Sequence, residues 1–326
     1  YLDNKGVLVI PESFQKAFDF KFGVARVVQD GKYGLIDKNG NFILRPKYSD
    51  IGDFDDFGLA IVRYGSDNVR YDVINLKGEM ITRQDFREIR PFKEGMAAVK
   101  YKDGYGFINQ LGNLIIEDKY SKVSDFSEGF VAVQIEGNCG YLDKTGKWLI
   151  EPQFSKCLDF KDGKAVVYRG LKNAGLIDKN GNQLIQPQIN RLLDFSEGRG
   201  LVRDSSYRFY YITEQAKQYE GGYYQRAGGF QHGVAVVQME NKWGIINQMG
   251  VEIIPPKYDR ISQFENGYAK VRIKGFNGLT NTQGEAIVQP DYEYISYAGE
   301  GLFRVEQGDK IGYFDSEGNW IWNLSE

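Results

Sequence analysis

Apolar and polar positions follow one fixed order along this chain, and the order repeats. It opens on an aromatic residue at Phe20, Phe54, Phe92, Phe126, Phe160, Phe195, Phe230 and Phe264, and a ninth repeat begins near Ala298. Successive starts lie 34, 38, 34, 34, 35, 35, 34 and 34 residues apart. A period this regular indicates tandem duplication of one structural unit.

Each repeat reads the same way. A glycine follows the aromatic by three residues, as at Gly23, Gly95, Gly129, Gly163, Gly198, Gly233 and Gly267. A small-and-Val alternation comes next, as in Ala25 and Val27 or Ala97 and Val99, which predicts a strand with one buried face. A polar turn (Gln29-Asp30-Gly31-Lys32, Tyr101-Lys102-Asp103-Gly104) leads to a second strand such as Tyr33-Gly34-Leu35-Ile36 or Trp243-Gly244-Ile245-Ile246. That strand ends on Asp or Asn and turns on a glycine, as in Asp37…Gly40, Asn109…Gly112, Asp143…Gly146 and Asn247…Gly250. The Asx side chain bonds amides ahead of it while glycine takes a positive φ. A third strand follows and is expected to stop at Pro46, Pro152, Pro187, Pro256 or Pro290, because proline has no amide for the ladder. An aromatic and then an apolar residue (Tyr48 and Ile51, Tyr258 and Ile261) lead into the next start.

The reading divides residues 1–326 into a single array: 1–19 as a half repeat, then 20–53, 54–91, 92–125, 126–159, 160–194, 195–229, 230–263, 264–297 and a terminal 298–326. Tyr1-Leu2-Asp3-Asn4-Lys5-Gly6 matches Tyr141 to Gly146, and the chain does not open on Met, so further sequence is expected upstream. One three-stranded meander is too small to bury its apolar face alone, so neighbours are expected to stack into a continuous core. The fold class is all-β: three-stranded meanders in an open, superhelical solenoid-like array, in preference to a closed propeller-like ring, whose blades usually carry four strands.

The element from Trp243-Gly244-Ile245-Ile246-Asn247 through Gly250 to Pro255-Pro256-Lys257-Tyr258 resembles the signature of the bacterial WG-repeat family. The resemblance covers essentially the whole chain, although the Trp is replaced by Tyr33, Tyr105, Cys139, Ala174, Asn277 or Ile311 in sister repeats. It implies a binding array, often exported or associated with the cell envelope, and attaches no catalytic residue to the motif.

Composition narrows the chemistry. With 42% hydrophobic and 26% charged residues the chain is globular, and a net charge of -3 lacks the Lys/Arg surplus that nucleic acid demands. No apolar run is long enough to span a bilayer, so no membrane insertion is expected. The single histidine, His232, stands where sister repeats carry Lys, Glu or Asp, which marks an exposed turn rather than a catalytic base. Asp37, Asp143, Asp178 and Asp315 are replaced by Asn elsewhere, as turn chemistry permits and general-acid chemistry does not. The Asp37 to Asn41 and Asp178 to Asn182 segments lack the ligand pattern of a calcium loop, so neither a metal nor a cofactor is expected. Cys139 and Cys157 read as small buried hydrophobes; a disulfide is left open for an exported chain.

The pattern breaks in two places. The second repeat carries a four-residue insertion around Ser66-Asp67-Asn68, expected as a longer hairpin loop. The repeat from Phe195 loses its second-strand and turn glycines and carries instead Tyr207, Phe209, Tyr210, Tyr211, Tyr219, Tyr223 and Tyr224. Exposed aromatics anchor peptides and glycans, so these seven are the candidate ligand-binding residues. The functional expectation is a non-catalytic scaffold with a protein partner first and a cell-surface glycan second. A carbohydrate-active enzyme or a pure structural spacer are the alternatives.

Overall fold

The computed structural model describes residues 1, 8–11, 13–82, 86–101, 104–219 and 221–324. The described residues form nine small antiparallel sheets, seven of four strands and two of three, with no helix among them. They group into two compact bodies, Tyr1–Phe160 and Lys161–Glu326. The expected half repeat at Leu2 to Gly6 and the turn at Lys102-Asp103 lie outside the described residues.

The meander is present, with one strand more than expected. In the first repeat Val24–Gln29 pairs with Lys32–Asp37, which pairs with Phe42–Tyr48. A two-residue strand, Lys16–Ala17, lies on the other side of Val24–Gln29. Its counterparts Lys122–Val123 and Arg260–Ile261 contain the apolar residue that precedes each new start. The residues read as a connection therefore close the sheet's open edge.

The first strand is buried on both faces, not one. In Met96–Lys100 the four residues Met96, Ala97, Ala98 and Val99 are all buried. Ala97 and Val99 enter a core with Leu59, Val73 and Phe86 of the preceding repeat. Met96 and Ala98 enter another with Val131, Val133 and Leu142 of the following one. In the second body Leu201, Tyr211, Ala235 and Val237 share one core, and Val234, Ile245, Ala269 and Val271 share the next. The sheets of Leu59–Tyr64, Met96–Lys100 and Val234–Met239 thus each serve as floor to one core and roof to another, so their first strands read as continuous apolar runs.

The third strand does not stop at proline; it runs through it. Phe42–Tyr48, Trp148–Phe154 and Glu252–Tyr258 contain Pro46, Pro152 and Pro255-Pro256. Tyr33 faces Tyr48 and Leu35 faces Leu44, so two steps on one strand oppose four on the other. Proline occupies that bulge, where no ladder amide is needed. The bulge folds over the second-strand glycine: a Cβ on Gly244 would lie 2.5 Å from the Ile254 carbonyl oxygen and 2.9 Å from the Pro256 nitrogen. The same approach occurs at Gly34, Gly140, Gly175 and Gly278. The second-strand glycine is therefore a packing requirement.

The turns follow the sequence. Asp37 Oδ1 accepts the amides of Asn39 and Asn41, and Gly40 takes φ +84°. Asn109, Asp143, Asp178, Asn247, Asn281 and Asp315 repeat this geometry. The insertion near Ser66 is a loop between Leu59–Tyr64 and Arg70–Asn75. Cys139 and Cys157 form a disulfide, which settles the alternative that the sequence leaves open. It takes the place of an apolar contact, because Trp243 and Ile261 at the equivalent positions share one core.

Two outcomes check this account. Gly244→Ala should destabilise the chain by about 3 kcal/mol in urea unfolding, because the third strand must move. Gly137→Ala, whose Cβ would meet nothing within 4 Å, should cost only about 1 kcal/mol for its positive φ. Removing the cross-link by Cys139→Ser/Cys157→Ser should cost about 3 kcal/mol for a loop of this size, and thiol titration of the unreduced protein should find no free cysteine.

Candidate functional site

Two repeats lack the second-strand glycine, and in both the described residues that follow pair by isolated bridges in place of the regular third strand. In the repeat from Phe54 the position is Asp72, opposite Val62 as Gly34 is opposite Val27. The buried Asp72 carboxylate accepts the Val73 amide at 2.7 Å, in the space that a third-strand carbonyl fills elsewhere. Among the described residues that follow, isolated bridges join Tyr71 to Phe86 and Ile74 to Met80. A hollow of about 250 Å³ remains, lined by Lys47, Tyr48, Tyr64 and Met80.

In the repeat from Phe195 the position is Tyr210, opposite Val202. Arg199–Arg203 pairs with Leu192–Ser196 and Phe209–Ile212, and the third strand shrinks to bridges Phe209 to Tyr224 and Ile212 to Gln218. The hairpin between Arg203 and Phe209 turns on Asp204, whose Oδ1 accepts the amides of Ser206 and Arg208. Tyr207 occupies the place glycine holds in such turns and takes φ +63°. An aromatic side chain in the left-handed region is strained by about 1–2 kcal/mol, and such strain concentrates at functional positions.

The seven candidate aromatics divide into two groups. Tyr207 is 67% exposed and Tyr223 42% exposed. The half-buried Tyr210 packs edge-on to Tyr223, with ring centroids 5.5 Å apart. Two arginines complete the patch: Arg208 lies 4.0 Å from the Tyr223 ring centre and Arg203 5.3 Å from that of Tyr207. Burial, then the neighbouring Tyr223 and Asp204, push the Tyr210 phenol above its ordinary range. Burial would raise the Asp204 carboxyl, but the amide, side-chain hydrogen bond and charge of Arg208 outweigh it and hold it low. The pair at 2.9 Å fixes the guanidinium over Tyr223.

The other four face inward, which corrects their reading as surface anchors. Tyr211 and Tyr224 are buried in the core with Leu201, Phe230 and Val237, and Phe209 and Tyr219 pack against it. Tyr211 donates to the Gly228 carbonyl at 2.6 Å, as Tyr141 does to the Leu158 carbonyl in its own repeat. It is a structural tyrosine whose bond Tyr1 and Tyr141 also make, while Leu35, Phe107, Leu176, Ile245 and Leu279 hold the position in other repeats. Strand alternation separates Tyr210 from Tyr211. Sequence reasoning missed Arg203, Asp204 and Arg208; the signal was an Asx-turn pattern displaced into the first hairpin, flanked by arginines.

His232 is an exposed turn residue with φ +55°. Among the described residues no group of three or more His, Cys, Asp or Glu is arranged to hold a metal ion.

The family model of the WG containing repeat matches residues 1–33, 33–66, 73–104, 105–139, 140–170, 175–205, 223–243, 243–275 and 278–310. The widest interval it leaves between matches, 206–222, holds five of the seven aromatics: Tyr207, Phe209, Tyr210, Tyr211 and Tyr219. No curated protein matches the chain in sequence. Among solved structures, a eukaryotic initiation factor is similar with TM-score 0.50 and 12% identity, covering 97% of this chain and 90% of that one. The computationally designed Ika8 protein gives TM-score 0.43 at 14% identity over 83% and 94% of the two chains. The WD40 β-propeller domain of Doa1 gives 0.34 at 12% over 71% and 92%. At these identities the likeness is one of fold.

The strain at Tyr207 gives a test. Tyr207→Gly relieves the backbone by about 1–2 kcal/mol and forfeits the Arg203 contact, about 0.5–1 kcal/mol. The variant should be no less stable than the wild type in urea unfolding; a loss above 1 kcal/mol would make the ring a structural element.

Proposed function

The chain belongs to the WG containing repeat family, and from that premise we propose that it is a non-catalytic binding scaffold whose specific contact is the patch of Tyr207, Tyr210, Tyr223, Arg203 and Arg208. The observation that carries this reading is Tyr207: a ring 67% exposed, at a hairpin tip, on a backbone conformation that favours glycine. Tyr and Arg are also the side chains enriched among residues that dominate protein interfaces. A protein partner is therefore ranked first and a surface glycan, which also stacks on exposed tyrosine, second. The core that Tyr211 and Tyr224 form with Phe230 of the neighbouring repeat holds the strand carrying the patch.

The disulfide between Cys139 and Cys157 favours an oxidising compartment, and hence an exported or envelope-associated chain. A carbohydrate-active enzyme is the alternative class. It would require a pair of carboxyls across a bound sugar.

Pull-down from the source organism should recover a partner with the wild type that Tyr207→Ala/Tyr223→Ala reduces at least tenfold, with unfolding midpoints unchanged. Equal recovery by both would sink the patch. Hydrolysis of any member of a glycan panel by the purified chain would overturn the non-catalytic reading.

A further inference from the structure

In the regular repeats the turn that opens the first strand is a two-residue hairpin turn with positive φ at both central positions. Examples are Glu94-Gly95 (φ +51° and +84°), Glu128-Gly129 (+53° and +90°), Glu197-Gly198 (+49° and +75°), His232-Gly233 (+55° and +80°) and Asn266-Gly267 (+52° and +85°). Backbone of this kind presents consecutive amides outward, as anion-binding nests do. Within each body, the acid of one turn fills the amides of the next. Glu94 spans the Glu128 and Gly129 amides with its two oxygens, at 2.6 and 2.9 Å. Asp162 accepts the Glu197 amide at 2.7 Å. Glu197 accepts the Gly233 amide at 2.9 Å and the Gln248 side chain at 3.1 Å. A carboxylate is therefore the group these amides select, three times over in one molecule.

The arrangement changes at the next step. His232 stands where Glu94, Asp162 and Glu197 stand, and an imidazole cannot present two oxygens to a pair of amides. No described residue accepts from the amides of Asn266 or Gly267. His232 and Phe264 line a hollow of about 240 Å³ together with Lys161, Asp162, Glu197, Phe230 and Gln231. We infer that the Asn266 and Gly267 amides, together with His232, form a socket for a carboxylate that the chain does not itself supply. The amides bind its two oxygens as they bind Glu94 in the sister junction, and His232 donates from the side where the missing acid would have been attached. The carboxylate belongs to a partner's acidic side chain or to a small free acid. The socket uses neither Tyr207 nor Tyr223, so it stands or falls independently of the aromatic patch.

The test is amide-resolved NMR of the full chain at constant ionic strength, titrated with acetate and with acetyl-Glu-Gly-amide. The expected result is saturable shifts at the Asn266 and Gly267 amides, with little change at Glu128 and Gly129, which are already filled. His232→Glu should abolish the response by supplying the carboxylate internally. The same variant should raise the unfolding midpoint, which shows that it folds. The tighter of the two probes names the source. Absence of saturation at Asn266 and Gly267, an unchanged response in His232→Glu, or an equal response at the filled Glu128 and Gly129 amides would each overturn the inference.

Discussion

The close approach of the third strand to the second-strand glycine is the contact on which the rest of the repeat depends. Beside Gly34, Gly106, Gly140, Gly175, Gly244 and Gly278 a backbone carbonyl lies 2.3–2.6 Å from where a Cβ would stand. Only glycine admits that approach. Because the third strand can cross there, it bulges, and because it bulges, proline is tolerated within it. The bulge then places the following aromatic, such as Tyr48 or Tyr258, opposite the start of the second strand and into the core shared with the next repeat.

The consequence appears where the glycine is replaced. Asp72 and Tyr210 both stand where the crossing carbonyl approaches, and in both repeats the described residues that follow form isolated bridges where Phe42–Tyr48 forms a strand. The two replacements then diverge. Asp72 turns inward and satisfies the amide that the strand would have met. Tyr210 turns outward and packs edge-on against Tyr223. One structural lapse yields a hollow in the first body and an aromatic patch in the second.

Cohesion between repeats has an apolar and a polar part. Alternate residues of one strand belong to different cores, so no repeat has a core of its own and neighbours stabilise each other. The polar part is the turn-to-turn contact of acids with amides. Glu94 shows how far this contact shapes a side chain: burial would raise its carboxyl, yet the Gly129 amide, Lys144 and the Glu128 amide together hold it below the ordinary range.

The sequence by itself determined the repeat, its period, the hairpin order and the Asx turns, because each rests on local chemistry: period-two alternation, side-chain-to-amide bonding and positive φ. It located the broken repeat from Phe195 for the same reason, but read the repeat from Phe54 as an insertion and passed over Asp72 in the glycine's place. Three things only the tertiary structure decided. The burial of both strand faces comes from neighbours, which one repeat read alone does not contain. The passage of the third strand through Pro46 and its counterparts depends on a bulge whose geometry is set by the facing glycine. The division of seven aromatics into Tyr207, Tyr210 and Tyr223 outside and Phe209, Tyr211, Tyr219 and Tyr224 inside depends on strand register, and a shift of one residue would have exchanged Tyr210 with Tyr211.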